Sequence, residues 1–124
     1  MSLDFDLYGP PGTYPCECEC GHKHTRHDRV CLFTDCITHN LIDMAAEAGI
    51  YDCLWRPDQN AMTKARQIVE PLRAGIERLQ GDPERFRAFN PSNGWGSYEG
   101  LLGFARSVLR ACERFPDADV EVSR

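Results

Sequence analysis

Tyr14-Pro15-Cys16-Glu17-Cys18-Glu19-Cys20-Gly21-His22-Lys23-His24-Thr25-Arg26-His27 gathers three thiols and three imidazoles in one short run. Zinc takes four such ligands in a tetrahedron, with thiolates at about 2.3 Å. Residues two apart on a strand face the same way, so Cys18 and Cys20 can converge on one ion. Gly21 lets the chain turn sharply, which brings His22 and His24 back to the same point. The expected zinc set is therefore Cys18, Cys20, His22 and His24, with Cys16 and His27 as substitutes. The Cys-x-Cys-x-Cys spacing departs from the usual two to four residues between paired zinc cysteines, and the plainer alternative is a polar hairpin tip with reduced thiols. Four ligands would close the shell, which makes the zinc structural. A zinc-dependent hydrolase or deaminase would need an open position and a base. Glu17 and Glu19 are the nearest carboxylates, and strand alternation turns them away from the thiols.

Two further segments carry ligand-binding groups. Thr38, His39 and Asn40 stand where a strand hands over to a helix, a place where free amides can hold an anion. The alternative there is a capped helix start with a solvent histidine. In Phe89-Asn90-Pro91-Ser92-Asn93-Gly94-Trp95-Gly96-Ser97-Tyr98-Glu99, Asn93-Gly94 favours a turn with positive φ. Trp95 and Tyr98 can form an aromatic wall, with Ser97 and helix amides as donors. A structural loop whose Trp95 plugs the core is equally compatible with this segment. In Leu54-Trp55-Arg56-Pro57, Trp55 is assigned to the core, and Arg56 is either an anion clamp or a surface ion pair.

The elements that must position these groups follow from periodicity. Leu3 to Tyr8 alternates apolar and polar residues, the pattern of a half-buried strand. Tyr14 to Cys20 alternates again, and Val30 to Ile37 reads as its hairpin partner. Helices are expected from Leu41 to Gly49, from Thr63 onward with Pro71 kinking or splitting the pattern, over a short stretch after Asp82-Pro83, and from Ser97 to about Arg114. Val120 and Val122 alternate in a last strand. Strands near the ends and helices between them indicate an α+β fold: a small antiparallel sheet, three N-terminal strands plus a C-terminal one, with three to four helices on one face. Residues 1–124 read as one domain, with a Cys/His-rich hairpin at about 14–31.

Composition narrows the function classes. The chain of 124 residues carries 19 acidic and 14 basic side chains, a net charge of −5, so duplex nucleic acid is disfavoured as a partner. No apolar run is long enough to span a bilayer, and the acidic start Met1-Ser2-Leu3-Asp4-Phe5-Asp6 is not a signal peptide. A cytoplasmic setting is expected. An odd number of cysteines, seven, argues against a disulfide framework.

Ile37-Thr38-His39-Asn40-Leu41, Leu54-Trp55-Arg56-Pro57, Ile68-Val69-Glu70-Pro71-Leu72 and Phe89-Asn90-Pro91 through Asn93-Gly94-Trp95-Gly96-Ser97-Tyr98-Glu99-Gly100 carry a resemblance. The chain from Ile37 onward resembles an uncharacterised family of small phage and prophage-type proteins. That resemblance implies a bacterial or viral setting, with the host cytoplasm as location, and brings no activity with it. The function expected is a non-enzymatic binding module with a structural zinc hairpin. Its ligand is a small polar or nucleotide-like molecule, such as a host signal to be sequestered, or a host protein. Contact with a partner through the zinc hairpin is the alternative, and a homo-oligomer is left open.

Overall fold

The computed structural model describes residues 2–9, 14–16, 24–26 and 30–124. Its strands are β1 (Ser2–Tyr8), β2 (Tyr14–Cys16), β3 (His24–Arg26), β4 (Cys31–Thr38) and β5 (Asp119–Ser123). The described helices are α1 (Ile42–Glu47), α2 (Tyr51–Trp55), α3 (Ala65–Gly81), α4 (Pro83–Arg87) and α5 (Tyr98–Arg114), with 3-10 turns at His39–Leu41 and Pro57–Asn60. The fold is α+β, with more helices than the three to four expected, because Tyr51–Trp55 forms a helix of its own after Gly49.

β1 lies in the middle of an antiparallel sheet of order β4-β1-β5. Leu3, Phe5 and Leu7 are fully buried and stand opposite Ile37, Asp35 and Phe33 of β4. Val122 and Val120 of β5 flank Phe5 and Leu7 from the other side. Directly opposed residues share a face, so these side chains form the inner layer on which the helices pack. Asp4, Asp6 and Glu121 lie on the other face, as expected for a sheet wetted on one side.

The sheet corrects one expectation. The cysteine segment is not the partner of β4; β1 is. β2 and β3 instead pair with each other in a separate two-stranded hairpin, with Tyr14 opposite Arg26 and Cys16 opposite His24. The reason is hydrophobic: β1 has a buried apolar row that must be covered on both sides, whereas a short local hairpin closes at little entropic cost.

The helices follow their apolar stripes. Gly49 adopts φ +78 and ends the α1 segment, the left-handed terminator its position predicted. α3 runs through Pro71 as one helix, so of the kink or split expected there the split does not occur. One backbone donor is lost there, but Ile68, Leu72, Ile76 and Leu79 on the buried stripe hold both halves to the same core. α5 starts at Ser97, whose hydroxyl accepts from the Gly100 amide at 3.1 Å. Among the described residues no helix is long and apolar enough to cross a membrane.

The two central cysteines are inert. Burial pushes the thiols of Cys53 and Cys112 up to about 12, and the Cys53 thiol donates to the Ile50 carbonyl at 3.4 Å. Cys31 and Cys36 are exposed. We expect a maleimide at pH 8 to label Cys31 and Cys36 of the native protein and to spare Cys53 and Cys112 until denaturant is added, as mass mapping will show. Both buried thiols are raised above the ordinary value of 9.0. Their contribution to stability is therefore complete below about pH 9 and declines as the pH rises toward 12.

Candidate functional site

α5 lies across β4 and runs antiparallel to it, and the two elements do not seal against each other. Between them is an open groove of about 460 Å³. Asp35, Cys36, Ile37 and Thr38 of β4 form one wall, and Gly96, Ser97, Glu99, Gly100, Gly103 and Phe104 form the other. The groove exists because α5 presents small residues at helical spacing, Gly100, Gly103 and Ser107, with Gly96 in the loop before it, where larger ones would close onto the strand. A β-carbon at Gly103 would meet nothing within 4 Å. Gly96 differs: at φ +115 its α-carbon packs so closely on Thr38 and Leu41 that a β-carbon there would lie 2.9 Å from Thr38 Cγ2.

The loop before α5 forms the rim of this groove. Trp95 is 71% exposed, the most exposed large apolar side chain among the described residues. Its backbone is held from both sides: its amide donates to Asn93 Oδ1 at 2.9 Å and its carbonyl accepts from Asn40 Nδ2 at 3.3 Å. The Gly94 amide donates to the Pro91 carbonyl at 3.2 Å, and the Tyr98 amide to Asn90 Oδ1 at 2.8 Å. Gly94 at φ +75 and Gly96 at φ +115 allow the two reversals this path requires. A rigid loop thus presents an indole to water, in place of the core plug that was its structural alternative.

The other expected ligand-binding residues divide. Thr38 and Ser97 line the groove, and Asn40 ties its two sides together. His39 is directed elsewhere: its Nδ1 accepts from the indole N–H of buried Trp55 at 3.0 Å. In that bond the His39 Nδ1 is the acceptor, so this ring edge is turned to the core and away from the groove. Tyr98 is buried, its hydroxyl donating to the Leu79 carbonyl at 2.7 Å. It is part of the core and not an aromatic wall, and the Arg87 guanidinium stands 5.0 Å from its ring centroid. Arg56 donates from Nε to the Tyr51 hydroxyl at 3.1 Å. Cys16 and His24 are opposed in the β2–β3 register, whereas Cys18, Cys20, His22 and His27 lie outside the described residues. Among the described residues no group of three or more metal-ligating side chains converges.

The polar groups of the groove are largely occupied by the protein itself. Thr38 Oγ1 accepts from the Asn40 amide at 3.2 Å, and Asp35 Oδ1 from the Cys36 amide at 2.8 Å. Glu99 accepts from Arg87 at 3.0 Å. That guanidinium and the backbone hold the Glu99 carboxyl below its usual range, with the backbone bond the larger influence. Asp35, Cys36, Gly100, Gly103 and Phe104 were not foreseen from the sequence. The Gly96-to-Ser107 spacing was the available signal, but it gains meaning only once β4 is known to lie against α5. No family model matches this chain, and neither the curated proteins nor the solved structures hold a match to it.

Proposed function

We propose that this protein is a non-enzymatic binding module that takes a polypeptide segment into the β4–α5 groove, with Trp95 as the anchor at its rim. The observation that carries this reading is the exposed indole on a loop pinned at both its amide and its carbonyl. Exposing 71% of a tryptophan on a rigid support forgoes burial that a core site would gain, and such side chains dominate protein contacts. A nucleotide-like ligand fits the groove less well, since Asp35 and Glu99 stand in its walls and, among the described residues, no lysine or arginine lines it. The commitment of Thr38, Ser97 and Asp35 to backbone amides favours recognition over catalysis. In the phage or prophage setting that the resemblance implies, the partner is a host protein met in the host cytoplasm.

Selection of extended peptides from a displayed random library on the full chain tests the proposal. Trp95→Ala is expected to weaken the selected peptides roughly 30-fold, the scale of an aromatic hot spot, with an unchanged melting temperature. Gly103→Leu is the sharper variant. It adds helix propensity worth up to about 1 kcal/mol at a position where a β-carbon meets nothing within 4 Å, so it should stabilise the fold while its branched end fills the groove. Peptides that bind both variants as they bind the parent protein, or nucleotides that shift Trp95 fluorescence where peptides do not, would remove this reading.

The Cys/His arm supports a second proposal, a structural zinc ion. The register that sets Cys16 against His24 brings two ligand types to facing backbone positions of one short hairpin, with Cys18, Cys20 and His22 between them in sequence. One zinc per chain is expected from elemental analysis, lost in a Cys18→Ser, Cys20→Ser double variant whose helical circular dichroism persists. Protein that carries no stoichiometric zinc ends the proposal.

A further inference from the structure

The outer edge of β4 is the open edge of the sheet: β1 covers one side of the strand, and among the described residues no strand covers the other. Such an edge presents alternate backbone amides and carbonyls to whatever approaches. Leu32 stands on it at 36% exposure. A second hollow of about 310 Å³ continues the groove toward the start of β4, lined by Leu32, Phe33, Ser107, Arg110, Ala111 and Arg114. Ser107 is common to both hollows, so together they form one furrow along the whole edge.

Charge along this furrow is polarised. Asp35 marks one half, beside a Glu99 already paired with Arg87, and Arg110 and Arg114 mark the other. No acidic partner of Arg110 or Arg114 is found among the described residues; the Arg114 guanidinium lies 5.1 Å from the Phe115 ring centroid. A surface whose two ends carry opposite charge is complementary to itself after a twofold rotation.

We propose that the occupant of this edge is a second copy of the chain, the two β4 strands pairing antiparallel to join both sheets into one. Helices on the same side of the joined sheet require that inner-face residues oppose inner-face residues. The inner row of β4 is Phe33, Asp35 and Ile37, opposite buried Leu7, Phe5 and Leu3. Registers with Thr34, Asp35 or Cys36 on the twofold axis satisfy that rule, and the last of these sets Asp35 opposite Ile37, away from the arginine end. Asp35 opposite Asp35 sets like charges face to face, which is unfavourable. Asp35 opposite Phe33 places Thr34 on the twofold axis and sets each carboxylate level with Arg110 and Arg114 across the interface. The register centred on Thr34 is therefore the one formed. An inward-facing acid on an edge strand also guards against indiscriminate pairing, so Asp35 selects a partner that brings arginines to that level. In this register Ile37 stands opposite Cys31, so the pairing runs along most of β4 and shares Asp35, Cys36 and Ile37 with the peptide groove; it does not rest on the peptide-binding proposal and competes with a peptide for that wall.

Sedimentation equilibrium of the full chain is expected to show a monomer–dimer equilibrium that weakens with added salt. Asp35→Arg alone, and Arg110→Glu with Arg114→Glu, should each raise the dissociation constant roughly tenfold or more. An equimolar mixture of the two variants should restore a heterodimer, because each then offers the charge the other lacks. Thr34→Cys, in a Cys31→Ser, Cys36→Ser background, tests the register: mild oxidation should give a covalent dimer through Cys at position 34, and this readout remains if a charge variant fails to fold. A parent chain that is monomeric at every concentration, or variants that fail to complement on mixing, overturns the proposal. Loss of peptide binding with dimerisation intact would leave this interface standing and remove only the groove reading.

Discussion

Trp55→Ala is expected to remove about 3–5 kcal/mol of stability, the range for truncating a fully buried large aromatic. Trp55 is 1% exposed, and its ring stacks on Tyr51 with centroids 6.0 Å apart. Its indole N–H holds His39, and its carbonyl accepts from Arg124 at 2.8 Å. One residue thus joins α2, the turn at the end of β4 and the last residues of the chain. Against a typical total of about 5–15 kcal/mol, that loss takes a large share. Urea denaturation of Trp55→Ala beside Trp55→Phe separates the contributions. The phenylalanine variant keeps most of the packing and should lose about 1–3 kcal/mol, the scale for leaving His39 Nδ1 without its donor. Equal losses in the two variants would show that the hydrogen bond, and not the packing, carries the effect.

Gly75→Ala should also destabilise, by roughly 1–3 kcal/mol, the usual scale for overpacking a tight core. The sign is the informative part. In the middle of a helix alanine is ordinarily better than glycine by about 1 kcal/mol, and Gly75 lies well inside α3. A β-carbon there would fall within the van der Waals envelope of Ile50 Cγ2 and 3.0 Å from the Ala48 carbonyl oxygen. The glycine is what lets α3 approach the link between α1 and α2. Ile50→Leu removes the branched methyl, so the double variant Gly75→Ala, Ile50→Leu should recover part of the loss. Thermal unfolding of the four-member cycle measures the coupling. A Gly75→Ala protein more stable than its parent would contradict the close approach.

Much of the local structure was legible in advance because its causes are local. The alternation of Leu3, Phe5 and Leu7 is buried as read, Ser97 caps the long last helix, Gly49 turns left-handed, and Trp55 is core. Each follows from a period or a residue's own φ preference, and neither needs a distant partner. Of the two outcomes expected at Pro71, a kink or a split, the split does not occur for the complementary reason: the proline's penalty is local, whereas the buried stripe that holds both halves is tertiary.

The candidate site was legible only in part. Asn93-Gly94-Trp95-Gly96 was recognisable as a constrained loop, but the orientation of its tryptophan was not. Tyr98 and His39 carry polar tips that suit a ligand or a core equally, and the Leu79 carbonyl and the Trp55 indole, far from them in sequence, took those tips inward. The groove itself depends on β4 pairing with β1, which left the other edge of β4 open and brought it beside the glycines of α5.

By itself the order of residues determined the class of fold, the positions of most helices and strands, and a net acidic charge. Those follow from interactions within a few residues and from summed charge. The tertiary structure alone decided which strand β4 joins, which aromatic rings face water, and where the furrow along β4 runs. Each of these is settled by competition among distant groups for one shared core, and burial is a property that no single segment possesses alone.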